Sequence, residues 1–283
     1  MTHPGVLLKR EKLFAGKEMG QNFLSDPGTA LMIVQRTGIA EDTKVLEIGP
    51  GLGALTRHIC RVSKNVTVVE KDRRIIPLLQ EELAEEGMNA VQILNQDILK
   101  TDFAEIAQGE QMVVISNLPY NISSQILFRI IKNRSLISSA YLMFQKELAQ
   151  RIMSPPGSKS YSRLSAVVQY AADIRHVADI KPAAFFPRPD VDSTVLAFDL
   201  FQKRDLDEKT EDLLFDVIKA AFSKRRKTLK NSMSGGEMGM KKPFVGQALE
   251  MAGIQPERRA ETLSVDEFKA ITLSVQKLME DHT

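Results

Sequence analysis

The chain has 283 residues, 43% hydrophobic and 26% charged, values that support a buried core and exclude wholesale disorder, collagen-like repeats and a coiled-coil rod. The 38 Lys+Arg against 36 Asp+Glu leave a net charge of +2, so any nucleic-acid site must come from clustered rather than total charge. Cys60 is the single cysteine, which excludes an internal disulfide or a thiolate metal cluster and fits a reducing compartment.

The apolar run Val6, Leu7 and Leu8 is too short for a secretory core. The longest charge-free stretch, Gln111 to Phe128, carries Asn117, Pro119, Asn121 and Ser123, which hydrocarbon would not tolerate. A cytoplasmic protein without a membrane partner is expected.

After a basic, loose start, Asp26 reads as the N-cap of a helix that Gly38 stops. Lys44 to Ile48 reads as a buried strand running into Gly49-Pro50-Gly51-Leu52-Gly53, followed by a helix from Ala54 to Arg61. Strands follow over Asn65 to Val69, ending at Glu70, and over Val91 to Leu94, ending near Asp97, with a charged helix, Arg73 to Glu86, between them. Met112 to Ser116 is a fourth strand, stopping at Asn117-Leu118-Pro119-Tyr120, and Gln125 to Lys132 a helix. Alternation of this kind predicts a parallel sheet covered by helices on both faces. Ala140 to Phe144 is a fifth strand, followed by a helix through Arg151 and a Pro/Gly/Ser loop, Ser154 to Ser160, that serves as a connector or a lid. Ser165 to Ala172 and Val195 to Leu200 are apolar segments expected to close the sheet as further strands. Beyond about Lys203 the pattern turns helical, over Leu213 to Phe222, Phe244 to Met251 and Val265 to Met279. The division is therefore 1–202 for an α/β domain and 203–283 for a small all-helical one.

In an open parallel sheet, ligands bind at the carboxyl ends of the strands, where the distinctive residues of this chain fall. The glycines let the backbone turn and approach a ligand, since no Cβ blocks contact. Glu70 is placed for two ribose hydroxyls and Asp97 for the exocyclic amine of a purine. The glycines read G-x-G-x-G rather than the dinucleotide G-x-G-x-x-G. Glu47, just before them, would repel a pyrophosphate and suits an amino group, so the pocket fits a methyl donor better than a dinucleotide. At the fourth strand end, the Asn117 side-chain oxygen and the Leu118 carbonyl, held out by Pro119, can accept the hydrogens of an adenine N6 amine, freeing its lone pair. The Tyr120 ring can stack on a base taken out of its helix.

Several segments together resemble the ribosomal RNA adenine dimethyltransferases of the KsgA type, relatives of the Erm methylases. They are Gly20-Gln21-Asn22-Phe23-Leu24, Val45 to Gly53, Val68-Val69-Glu70, Asp97, Asn117 to Tyr120, Phe185 to Ser193, and Arg225 to Asn231. The resemblance implies a Rossmann-like class I methyltransferase domain followed by a helical domain. It implies S-adenosylmethionine covered by Asn22 and Leu24, with Gly49 beside its methionine part, Glu70 on the ribose and Asp97 on the adenine; Gln21, Glu47 and Gly51 count with these as cofactor-binding residues. Asn117 would then stand at the junction of donor and target, and Tyr120 and Phe185 would sandwich the target base. The implied activity is dimethylation of two adjacent adenines in the 3′-terminal hairpin of small-subunit rRNA during ribosome assembly, by a monomer whose partners are that RNA and the assembling subunit. Gly16-Lys17-Glu18-Met19, before Gly20, is less basic than the pattern.

Lys224, Arg225, Arg226, Lys227 and Lys230 put five cations in seven residues, enough for several phosphate contacts. This cluster also favours the KsgA type over the Erm methylases and their large-subunit RNA. The four histidines, His3, His58, His176 and His282, show no ligand spacing, and no metal is expected. In-line methyl transfer needs positioning and electrostatics rather than metal or a covalent intermediate. The rival of another class is a non-catalytic ribosome-assembly or transcription factor on the same fold.

Overall fold

The computed structural model describes residues 2–13, 21–203, 205–224 and 226–281. Gly16 to Gly20, Arg225 and His282 lie outside them. The chain divides into two units, residues 1–149 with 172–202, and residues 150–171 with 203–283. The helical unit thus takes in a segment that a single boundary near 203 assigns to the sheet domain.

The first unit is a seven-stranded sheet. In chain order its elements are α1 (Pro4–Arg10), β1 (Phe23–Leu24), α2 (Pro27–Gln35), β2 (Lys44–Ile48), α3 (Thr56–Cys60), β3 (Asn65–Glu70), α4 (Ile76–Glu85) and β4 (Gln92–Asn95). There follow α5 (Phe103–Ala107), β5 (Met112–Asn117), α6 (Ser123–Lys132), β6 (Ile137–Gln145) and the start of α7 (Lys146–Met153). After α8 (Arg163–Ala171) come β7 (Ala172–Ile180), β8 (Phe185–Phe186) and β9 (Ser193–Leu200). The sheet runs β4-β3-β2-β5-β6-β9-β7. The strands from β4 to β6 are parallel, and β9 pairs antiparallel with both β6 and β7. From β2 the chain winds outward through β3 to β4 and then crosses back to β5 on the other side of β2. The crevice beyond the carboxyl ends of β2 and β5 is therefore the topological switch point of the sheet.

Local chemistry accounts for these elements. Asp26 caps α2 by accepting from the Thr29 N–H at 2.8 Å, with Pro27 in the first turn. The parallel strands are apolar on both faces because helices cover both; Val45, Leu46, Val68, Val114 and Ile115 are fully buried. Ser116 Oγ donates to the Ile48 carbonyl at 2.6 Å, tying β5 to β2 beside the crevice.

Two segments differ from the sequence reading. Ser165 to Ala172, expected as a strand, is helix α8, and the strand that closes the sheet is the next segment, β7. β7 is an edge strand carrying Asp173, Arg175, His176 and Asp179, so its apolar signal is diluted, whereas α8 is buried along most of its length. The start of the chain is also ordered. His3 Nδ1 accepts from the Gly5 N–H at 3.1 Å to cap α1, and Leu7 and Leu8 are buried with Phe23, Leu52, Ile75 and Leu78.

The second unit comprises the end of α7, α8, α9 (Glu208–Ala221), α10 (Leu229–Met233), α11 (Lys242–Met251) and α12 (Val265–Glu280). Its core stacks Tyr161, Phe222 and Phe268, with Tyr170 edge-on to Phe215. A capping box between Ser264 and Glu267 starts α12. The Gly157 N–H donates to the Glu261 carbonyl at 2.7 Å, which makes the Ser154 to Ser160 loop a docked connector of this unit rather than a lid.

Candidate active site

The carboxyl ends of β2, β3 and β5 and the loop after β4 enclose a cavity of about 340 Å³, within the range of small-molecule sites. Every residue that the sequence suggests for the donor lines it: Gln21, Asn22, Leu24, Glu47, Gly49, Gly51, Glu70, Asp97 and Asn117. Leu118, Pro119 and Tyr120 line it too.

The glycine turn works by close approach. Gly51 has φ +57°, and a Cβ there would meet Phe23 Cδ1 at 2.9 Å, so both conformation and space demand glycine. A Cβ on Gly49, at φ +64°, would face Pro119 Cδ at 3.9 Å. The donor-side turn and the Asn117 to Tyr120 segment thus confront one another across the switch point.

The two glutamates are buried. Glu47 is 1% exposed, and its Oε2 has no hydrogen-bond partner among the described residues. Burial, reinforced by the nearby Glu70, pushes its pKa up to about 8. Glu70 accepts from the Asp72 N–H at 2.7 Å and the Gly51 N–H at 3.3 Å. Burial nevertheless raises its pKa above the usual carboxylate value. Asp97 is more open, pairing with Lys71 Nζ at 2.9 Å and accepting from the Leu99 N–H at 3.0 Å. The Lys71 ammonium is the main cause of its lowered pKa.

On the target side, Asn117 Nδ2 donates to the Asn22 carbonyl at 2.9 Å. Because a carbonyl can only accept, this bond settles which end of the amide is which and turns Oδ1 away from the arm. Pro119 and Tyr120 carbonyls accept from the Ile122 N–H at 3.2 Å and from Ser123 Oγ at 3.1 Å. The Tyr120 hydroxyl bonds Ser193 Oγ at 2.7 Å; burial raises its pKa.

Phe185 corrects the sequence reading. It does not line the cavity but is 4% exposed in the core with Leu24, Ala30 and Ile180. The antiparallel pairing Leu24↔Phe185 turns it inward, and its neighbour Phe186 is the exposed ring, edge-on to His3. Tyr120 thus lines the cavity and Phe185 does not. Sequence reasoning also missed Phe23, Lys71 and Ile75 in the wall and Ser193 behind Tyr120. Of these, Ser193 and Phe23 belong to segments already singled out, while Lys71 and Ile75 carry no recognisable signal. Among the described residues no group of three or more His, Cys, Asp or Glu could hold a metal ion, and no helix is long and apolar enough to cross a membrane.

In the helical unit, Lys224, Arg226, Lys227 and Lys230 are exposed and have no carboxylate partner among the described residues. They surround the start of α10, where the Leu229 N–H donates to the Arg258 carbonyl at 2.8 Å.

A switch-point cavity with a G-x-G-x-G turn and acids closing successive strands defines the class as a Rossmann-like methyltransferase. Residues 14–277 match the family model described as ribosomal RNA adenine dimethylase. The chain is 51% identical over 272 residues to ribosomal RNA small subunit methyltransferase A of Desulforapulum autotrophicum, covering 96% of each. It is 42% identical over 266 residues to the protein of that name from Desulfitobacterium hafniense, covering 94% of each. A dimethyladenosine transferase from Plasmodium falciparum superposes with a TM-score of 0.77 at 27% identity, over 90% of this chain and 98% of that one. The chain belongs to the ribosomal RNA adenine dimethylase family.

Proposed function

We propose that the chain transfers methyl groups from S-adenosylmethionine to adenine N6, two in succession, at two adjacent adenines in the 3′-terminal hairpin of small-subunit rRNA. The observation that carries this reading is the shared cavity: donor-type carboxylates and the Asn117 to Tyr120 segment line one space. The relatives named as small-subunit methyltransferases support the choice of RNA.

The residues present fit the donor. The orphaned Oε2 of Glu47 suits the ammonium of a methionine moiety, Glu70 retains lone pairs for ribose hydroxyls, and Asp97 accepts from an adenine amine once Lys71 swings aside. When bound, the donor supplies an electrophilic methyl on a sulfonium that leaves as a neutral thioether. Asn117 Oδ1 and the Leu118 carbonyl accept the two N6 hydrogens, so the nitrogen lone pair is released from the ring toward the methyl. The Tyr120 ring, anchored by Ser193, offers a face for the base. The methylated amine is acidic and gives its proton to water, so no strong general base is required. Lys224, Arg226, Lys227 and Lys230, with Arg225, contact phosphates of the subunit RNA. The protein acts as a monomer on the assembling subunit in the cytoplasm.

Supplying labelled donor to small subunits and large subunits that lack N6-methylated adenine tests this reading. Transfer confined to small subunits is expected. Transfer to large subunits would move the activity to the Erm type, and tight binding of donor and small subunit without transfer would make the chain an assembly factor.

A further inference from the structure

Asp72 is 3% exposed and lies outside every motif that the sequence suggested, yet it touches both halves of the site. Its N–H donates to Glu70 Oε1 at 2.7 Å. Its Oδ2 accepts from Gln21 Nε2 at 3.1 Å, and its two oxygens take Arg74 Nε at 2.8 Å and an Arg74 terminal nitrogen at 2.7 Å. The Arg74 pair, helped by the Gln21 bond, lowers the Asp72 pKa against the opposing effect of burial, so it is a permanent acceptor at neutral pH. Gln21 is followed by Asn22, whose carbonyl receives the Asn117 amide. One short path therefore runs from the ribose-side carboxylate, through Asp72 and Gln21, to the amide at the target.

That path has a consequence because an amide side chain has two nearly isosteric ends with opposite hydrogen-bonding character. With the Asn22 carbonyl in place, only Nδ2 can face it, and Oδ1 is left toward the target. If the arm moves, the amide is free to rotate by half a turn and present N–H groups to an amine that needs acceptors. Phe23↔Phe186 pairing fixes the arm on its other side, and the Gln21–Asp72 bond is an anchor ahead of Asn22.

We propose that Asp72 is a positioning residue that pins Gln21 and thereby sets the Asn22 carbonyl that orients the Asn117 amide for methyl acceptance. This rests on the methyl-transfer reading above. The pin acts on orientation rather than on donor affinity, so its loss appears in kcat. Each methyl requires the amide in the same orientation, and the second acceptor is bulkier than the first. Loss of the pin therefore also raises the share of monomethyl product.

The test is steady-state transfer to small subunits by wild type, Gln21→Ala, Asp72→Ala and the double variant, with product nucleosides separated. Each single variant is expected to lower kcat about 10-fold or more, since small misplacements cost up to about 100-fold, with monomethyladenosine enriched; Gln21 also lines the donor cavity, so donor KM is read from Asp72→Ala, where it is expected to change less than about threefold. The double variant is expected to cost less than the two singles multiplied, because both remove the Gln21–Asp72 bond. Gln21→Lys, which restores a donor to Asp72, is expected to recover kcat. Unchanged kcat in Gln21→Ala, or a loss carried by donor KM with an unchanged mono-to-dimethyl ratio, would overturn the pin and leave Asp72 as a prop of the ribose site. Gln21→Ala alters a half-buried arm residue, so it reports even where Asp72→Ala folds poorly. An inactive wild type in the same assay would instead overturn the methyl-transfer reading itself.

Discussion

The cavity and the basic stretch from Lys224 to Lys230 are both charged, and they use charge in opposite ways. Glu47 and Glu70 sit at 1% and 7% exposure. Lys224, Arg226, Lys227 and Lys230 stand in water. Burying a carboxylate is costly, so such a group is neutral or waits for a matching partner, which makes it selective and insensitive to salt. An exposed cation costs little, meets any phosphate and is screened by salt. The proposed function assigns selective chemistry to the first region and sequence-independent grip to the second, and the two contributions can be separated experimentally.

The sharpest break comes at the cavity. Asn117→Ala is expected to lower the transfer rate by about 1000-fold, the upper end for one positioned polar group, with RNA affinity near wild type; comparable single-turnover rates would contradict the mechanism. Next in size is the opposite region. Replacing Lys224, Arg226 and Lys227 by alanine should lower the slope of log K against log salt by about 2–3, at roughly 0.7–0.9 per phosphate contact. A filter-binding titration at several salt concentrations reads this, and an unchanged slope would reduce the cluster to a solvated face.

Glu47 sharpens the comparison through pH. Its folded-state pKa is about 8 against 4.5 for the ordinary side chain, so the folded chain binds the extra proton between those values. Stability is then fully present below pH 4.5 and falls as pH rises toward 8. Glu47→Gln should remove that slope, gaining on the order of 4 kcal/mol relative to wild type at pH 8 and little at pH 4.5, while losing donor affinity. Thermal melts across this range check the sign, and parallel pH profiles would contradict it.

Gly51→Ala should cost about 1–3 kcal/mol, because a non-glycine residue at φ +57° is strained and its Cβ meets Phe23. Denaturant unfolding measures it. The smallest effect is at Lys71, whose 63% exposed side chain competes for Asp97. Exposed pairs contribute about 0–1 kcal/mol, so Lys71→Met should tighten donor binding two- to threefold at most, as calorimetry would show.

The parts of the site legible in the sequence are those that strand ends generate. Lys44 to Ile48, Asn65 to Glu70 and Met112 to Asn117 read as strands because they are short apolar runs stopped by glycine, acid or proline, and parallel pairing gathers their ends. Residues 165–180 were harder: α8 is apolar enough to pass for a strand, whereas the true edge strand carries four charged or titratable side chains. α1 leaves little trace in the sequence because seven residues show too little periodicity; the His3 cap and packing against Phe23 and Ile75 stabilise it. Phe185 was legible as a motif member, but its direction depends on a two-residue strand pair formed with a segment 161 residues away. The Asn22 carbonyl that orients Asn117 is a main-chain group, common to every residue type, and leaves no mark in the sequence at all.

The central claim is that one crevice holds donor and target face to face, and a crystal structure with the demethylated donor product bound tests it most directly. The account predicts ribose hydroxyls within hydrogen-bond distance of Glu70, the amino group on Glu47, and the sulfur directed at the space beside Asn117 Oδ1. A ligand whose ribose lies away from Glu70, or whose sulfur faces away from Asn117, would contradict it.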